Sequence, residues 1–396
     1  MEQFLRQLQT IPEAAELIRR VEEGGCPAAV SGLQPVQRAC VGAAVAAACG
    51  RPAVFLCGDE REVQVLSADL ETLTGRRPVT LLGREWQFRP GAVGSRDWER
   101  SRLAALYALA QGVVVATADG LMARTLPPET LRSLAITLEV GGQAELGALA
   151  EQLLSAGYTR CEQVEGVGQF ALRGGILDVF SPLMDQPVRC EFFDDEIDSM
   201  GAFDPGTQRR TRNVSSARIL PAAEVLPHCA PGGLPGLADQ LTALAEKLAK
   251  KQKTEAIVQT LREDAERLRS GAAPGAADRY LAAIYPTVTA GVHYLPPDAV
   301  VFLSESGRVD ERVKNTVLQQ KQDVEALLSA GVLAGEYAHL TLTAEELYAA
   351  LEDFPVILED SLPTSRHPLR PRGLLTMNAK QLSSYGGSLE TAVTDL

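Results

Sequence analysis

Residues 29–39, Ala-Val-Ser-Gly-Leu-Gln-Pro-Val-Gln-Arg-Ala, stand ahead of a helical pattern in a sheet-forming region, where a phosphate-binding loop would stand. A working loop needs glycines whose backbone N–H groups close on phosphate oxygens. It also needs a lysine for the terminal phosphates and a Ser or Thr hydroxyl for magnesium. Gly32 meets the first need, but Pro35 removes an amide and Gln37 replaces a glycine. Arg38 occupies the lysine position and Ala39 carries no hydroxyl, and the chain contains no Gly-Lys-Ser or Gly-Lys-Thr. The pattern predicts a degenerate loop without phosphate chemistry. The acidic ends of two apolar runs, Cys57-Gly-Asp-Glu60 and Phe302-Leu-Ser-Glu305, could offer a magnesium carboxylate, but without the lysine they read as solvent-facing strand ends. Gly166 to Gly175 imitates a dinucleotide fingerprint with its third glycine misplaced, so tight turns between strands are expected there. Four dispersed histidines (His228, His293, His339, His367) support neither a zinc site nor a catalytic triad.

The segment Val188-Arg-Cys-Glu-Phe-Phe-Asp-Asp195 carries a different chemistry. A strand period of two sends Val188, Cys190 and Phe192 to one face and Arg189, Glu191 and Phe193 to the other. The same count turns Phe170 and Leu172 inward and Arg173 outward. Arg173, Arg189 and Phe193 then form one polar face, and exposed Arg beside an exposed aromatic is hot-spot composition for a protein interface. The alternative is that a neighbouring element covers Phe193 and water solvates the arginines.

These candidates need elements to hold them. The chain has 396 residues, 45% hydrophobic and 22% charged, with a net charge of -13. That is globular composition, with room for two or three domains at ~150 residues each. An acidic mean argues against a nucleic-acid coat, although a local basic patch stays open. The seven cysteines are odd in number, lack a C-x-x-C and sit mainly in apolar runs, which predicts reduced thiols. The N-terminus is polar and helical rather than a signal peptide, and no apolar run approaches the ~20 residues that span a bilayer. The reading is a soluble, cytoplasmic protein without cofactor or metal.

The pattern predicts an α/β fold, a mostly parallel sheet with an inserted, largely antiparallel β-rich domain. Residues 1–140 supply the first part of the α/β domain. Its strand candidates are Ala53–Cys57, Val79–Leu82, Val113–Ala116 and Ala135–Leu138, and its helices lie at Val36–Cys49, Glu60–Leu73 and Ser101–Ala110. Residues 141–225 form the β-rich module, entered through a helix at Ala144–Ala156. Residues 226–360 return to the α/β domain through a long helical stretch, Leu237–Arg269, and the buried strands Val300–Ser304 and Pro355–Leu358. Residues 361–396 read as a Pro-rich linker and the start of a next domain. A helix capped at Ser388 has barely begun at Leu396, which predicts a chain cut from a longer one.

Residues 163–225 resemble the N-terminal part of the bacterial transcription-repair coupling factors (Mfd), which is itself similar to the excision-repair protein UvrB. The likeness is carried by Val-Glu-Gly-Val-Gly-Gln-Phe-Ala-Leu-Arg-Gly-Gly175, Phe-Phe-Asp-Asp-Glu-Ile-Asp198 and Phe-Asp-Pro-Gly-Thr-Gln-Arg209. A weaker likeness runs from residue 1 to the Pro-rich linker. The resemblance implies a UvrB-like, helicase-type sheet domain with a degenerate P-loop (Gly32, Pro35, Gln37, Arg38, Ala39), and little room for a long hairpin between Gly83 and Arg102. It implies an inserted module that docks onto UvrA through Arg173, Arg189 and Phe193. The parent protein that it implies is an ATP-dependent DNA translocase. That parent meets RNA polymerase and DNA through parts that do not fit before Leu396, and a C-terminal domain masks its UvrA face. The expected function is recruitment of UvrA in transcription-coupled nucleotide excision repair, without catalysis by this chain. Two rivals are a divergent P-loop ATPase or helicase half and a nucleic-acid-binding module.

Overall fold

The computed structural model describes residues 2–89, 97–109, 112–251 and 254–377. The helical start expected at Ser388 and part of the Gly83–Arg102 interval lie outside these residues.

Short all-apolar runs build one large sheet. Its strands are β1 (Ala28–Ser31), β2 (Ala53–Cys57), β3 (Val79–Leu81), β4 (Val114–Thr117) and, after a long interruption, β13 (Val300–Ser304), β14 (Val356–Asp360) and β15 (Gly373–Thr376). The order is β15-β1-β14-β13-β2-β4-β3, and every pairing is parallel. Strand alternation splits the core in two. Val54 and Leu56 face a cluster shared with the helices Gly233–Leu248 and Glu255–Arg269. Phe55 and Cys57 face another, shared with the alanine-rich helix Pro35–Cys49. Both faces of the central strands β2, β4 and β13 are covered, so these strands are buried along their whole length. Phe55 stacks on Phe302 of β13 with centroids 4.8 Å apart, and burying each ring is worth about 2–3 kcal/mol. Leu237–Arg269 is two helices rather than one stretch, folded together by their facing leucine stripes.

The chain between β4 and β13 contains the inserted β-rich unit. Its strands β6 (Thr159–Arg160), β7 (Gln169–Arg173), β8 (Ile176–Val179), β9 (Val188–Phe193), β10 (Glu196–Phe203) and β11 (Arg210–Asn213) form a sheet ordered β11-β10-β9-β8-β7-β6. All of its pairings are antiparallel except β6 with β7. One face packs Phe170, Leu177, Val179, Cys190 and Met200 onto the helix Leu146–Ser155.

One expectation is corrected here. The run Ala135–Leu138 does not join the parallel sheet. As β5 (Ile136–Glu139) it pairs antiparallel with β12 (Ser216–Ile219) against the β-rich core. The reason lies in its alternation: Leu138 is buried while Thr137 and Glu139 are exposed, the pattern of a half-covered strand.

Where the chain leaves β12, the buried Glu224 accepts a hydrogen bond from Thr125 Oγ1 (2.6 Å) and ion-pairs with Arg102 (3.2 Å) and Arg84 (3.5 Å). Its backbone N–H donates to Glu99 at 2.8 Å. The exit of the β-rich unit is thereby tied into the α/β unit. No helix among the described residues is long and apolar enough to cross a membrane.

Candidate functional site

Two regions carry the residues singled out from the sequence. The first is the loop after β1. Gly32 has φ +91°, and a Cβ built there would lie 2.1 Å from the Met377 carbonyl oxygen, so only glycine fits beside the residue that follows β15. Pro35 opens the helix Pro35–Cys49, a position where a missing N–H costs nothing. The Gln34 N–H donates to Gln37 Oε1 at 2.8 Å, so the Gln37 side chain caps the helix from within. Ala39 is buried in the core.

Arg38 is buried and turned back into the protein. Its guanidinium donates to Glu305, to Glu62 (3.3 Å) and to Ser361 Oγ (3.2 Å). Ser361 Oγ also lies within hydrogen-bond reach of the Leu33 carbonyl (3.1 Å) and donates to Glu305. Glu305, expected at a solvent-facing strand end, is instead an internal counter-ion, and it holds a left-handed backbone at φ 54°. Asp59 is a helix cap, accepting from the Glu62 N–H at 2.8 Å. Glu359 on β14 is wholly buried with neither carboxylate oxygen hydrogen-bonded, and burial drives its pKa well above the carboxylate range. Burial also raises Asp360, against the hydrogen bonds that it accepts from Ser306. The cation of this loop is thus neutralised by protein carboxylates.

The second region is the face of the six-stranded sheet turned away from the helix Leu146–Ser155. Register decides its membership. Asp178 sits opposite Ala171 and Arg189, while Ile176 sits opposite Arg173 and Glu191, so these residues share one side. The β7–β8 turn is Gly174-Gly175 with Gly174 at φ +58°, a tight turn between strands as the sequence predicts. The β9–β10 turn is Asp194-Asp195, with Asp194 at φ 52°, and it lifts Phe193 to the hairpin tip.

Phe193 is 76% exposed, and no neighbouring element covers it. Arg173 is half exposed, its side chain at 50%, and donates to Asp178 Oδ2 at 2.7 Å. Arg189 is more enclosed than an outward solvated residue, at 21%. It grips Asp178 with two bonds, Nε to Oδ1 (2.7 Å) and Nη2 to Oδ2 (2.9 Å), and lies 4.7 Å over the Phe203 ring. Hydrogen bonding to Asp178 raises the Arg189 pKa further. Asp178 itself is fully buried.

The structure therefore brings Arg173 and Arg189 together on one carboxylate and leaves Phe193 farther along the strand, about 13 Å from Arg189 at ~3.3 Å per residue. Sequence reasoning missed Asp178, although an acid inside the apolar run Ile-Leu-Asp-Val-Phe180 is a signal. It also missed Gln208, whose backbone carbonyl and Oε1 each lie 3.5 Å from Arg189. Among the described residues no group of three or more His, Cys, Asp or Glu side chains could hold a metal ion. All seven cysteines are free thiols, and burial pushes Cys190 up to about 12.

The chain is thus a mixed α/β protein, a large parallel sheet interrupted by an antiparallel β-rich module that presents two arginines and an exposed aromatic. Residues 136–224 match the UvrB interaction domain. The chain is similar to curated transcription-repair-coupling factors. It is 25% identical to that of Bacillus subtilis over 96% of this chain and 33% of the relative. It is 34% identical to that of Myxococcus xanthus over 61% of this chain and 20% of the relative. The Escherichia coli factor is also 34% identical, over 44% of this chain and 15% of the relative. The chain spans a third or less of the length of these relatives.

Proposed function

We propose that this chain is the UvrA-recruiting module of a transcription-coupled repair factor, and that it works by docking rather than by catalysis. The observation that carries the reading is the exposed Phe193 on the face that holds Arg173 and Arg189. An aromatic ring at a hairpin tip has apolar area that gains nothing until a partner covers it, and the guanidiniums farther along the same face offer planar pairing to a carboxylate. The UvrB interaction domain across residues 136–224 supports UvrA as that partner.

The α/β unit is the scaffold. Arg38 spends its charge on Glu62 and Glu305, Pro35 withholds an amide and Ala39 has no hydroxyl, so the degenerate loop binds no nucleotide. Contacts with RNA polymerase and DNA, and ATP-driven translocation, belong to other parts of a longer parent. The test is capture of purified UvrA by the purified chain at micromolar concentration. Wild type should bind, Arg189→Ala and Phe193→Ala should not, and a wild-type chain that leaves UvrA in solution overturns the reading.

A further inference from the structure

We propose that Asp178 is the positioning residue of the docking face, and that the partner group it prepares for is a single carboxylate laid against Arg173 and the open edge of Arg189. The inference deepens the docking reading and rests on it.

Asp178 is fully buried in a β-strand, a costly place for a carboxylate unless every oxygen is used. Both are used. Oδ1 accepts from Arg189, and Oδ2 accepts from Arg189 and from Arg173. Strand register makes the arrangement rigid, because Asp178 and Arg189 are directly opposed across β8 and β9. The Phe203 ring backs the Arg189 guanidinium. Gln208 is fixed in turn, its side-chain amide donating to the Val164 carbonyl (3.1 Å) and the Pro205 carbonyl (2.7 Å). Its own oxygens reach Arg189 only at 3.5 Å and bring no charge.

The face carries Arg173, Arg189 and Arg210, the last lying over Gly201 opposite Arg189 and donating to Ser199 Oγ at 3.3 Å, against the acids Asp178 and Glu191, a net charge of +1. One partner carboxylate completes that balance. Glu191 holds the same face next to Arg189, its carboxylate accepting from Ser199 Oγ at 2.8 Å, and it repels a second acid. Arginines already held at Asp178 lose little rotamer freedom on docking. That saving is roughly two- to tenfold in affinity for each side chain.

The experiment measures UvrA affinity for wild type, Asp178→Asn, Arg189→Ala and the double variant, with a thermal melt on each. Asp178→Asn keeps the shape and drops the charge that holds the arginines. It should weaken binding about tenfold through faster dissociation, and shrink to threefold or less in the Arg189→Ala background. Wild-type affinity for Asp178→Asn, or the same loss in both backgrounds, overturns the proposal, because a merely structural aspartate would act without Arg189. Should Asp178→Asn not fold, Arg189→Lys decides: it keeps the charge but cannot grip Asp178 with two bonds. Binding as weak as Arg189→Ala supports the proposal, and wild-type affinity overturns it. A wild-type chain that ignores UvrA, or Phe193→Ala at full affinity, sinks the docking reading itself and is told apart from these outcomes.

Discussion

Arginine meets carboxylate in both regions, with opposite results. At the loop after β1, one arginine has two acids, Glu62 and Glu305, and the group is closed and part-buried, with both Nη atoms of Arg38 bonded within the protein. On the sheet face, two arginines share one acid, Asp178, and charge and donors are left over toward solvent. The difference teaches that the ratio of cations to anions separates a closed internal group from one that keeps donors open to solvent. A surplus cation held rigidly at a surface is ready for a partner, and a neutralised one is part of the core.

The largest effect should come from opening the closed group. Arg38→Ala leaves Glu62 and Glu305 without their cation, and breaking a pair of this kind costs about 3 kcal/mol. Chemical denaturation should show that loss with UvrA binding little changed per folded molecule. An unchanged midpoint would mean that the group contributes nothing.

On the open face the loss of Phe193 should fall on binding and leave folding alone, whereas Arg189→Ala also strips the buried Asp178 of its two-bond cation and should lower the melting temperature. Phe193→Ala should cost ~2 kcal/mol or more of UvrA affinity, roughly thirty-fold, with the melting temperature within a degree or so of wild type. Arg189→Ala should lose as much and also flatten the salt dependence, which Phe193→Ala should leave intact. Equal salt slopes for the two variants would erase the division of labour between charge and apolar area.

Glu359 gives a smaller, pH-dependent contrast within the closed region. Burial raises its pKa, so the folded protein holds this proton where the unfolded chain has released it. Wild-type stability attributable to this group is therefore retained at and below the ordinary carboxylate range and declines as pH rises from there toward the folded value. Glu359→Gln has no proton to lose. It should match wild type near pH 4 and melt higher than wild type at pH 8. A difference that is constant with pH would rule out a neutral buried Glu359. The smallest expected effect is none at all: millimolar Mg-ATP should leave the melting temperature unchanged, and no phosphate should be released above buffer level. Turnover that Arg38→Ala abolishes would reverse the reading of the closed site.

Much of this was written locally. The missing lysine and hydroxyl at Arg38 and Ala39 need only the order of residues, and so does the alternation that puts Phe193 opposite Phe192, because a strand's side chains alternate whatever the strand pairs with. The tight turn at Gly174 follows from two adjacent glycines between apolar runs. Local pattern failed where the partner decides. The run Ile136–Glu139 is a strand in any sheet, and only β12, about 80 residues away, says which.

The sequence by itself determined the faces of the strands, the loss of the phosphate lysine and the thiol character of the cysteines. Only the tertiary structure decided which charges meet. Arg38 finds Glu305 and Ser361 across separations of 267 and 323 residues, and Arg189 finds Asp178 because β8 and β9 pair in one particular register. Periodicity belongs to a single chain segment, whereas an ion pair needs two segments brought within about 4 Å of each other. Chain closure and strand register set that distance, and neither is written in the spacing of residues along one strand.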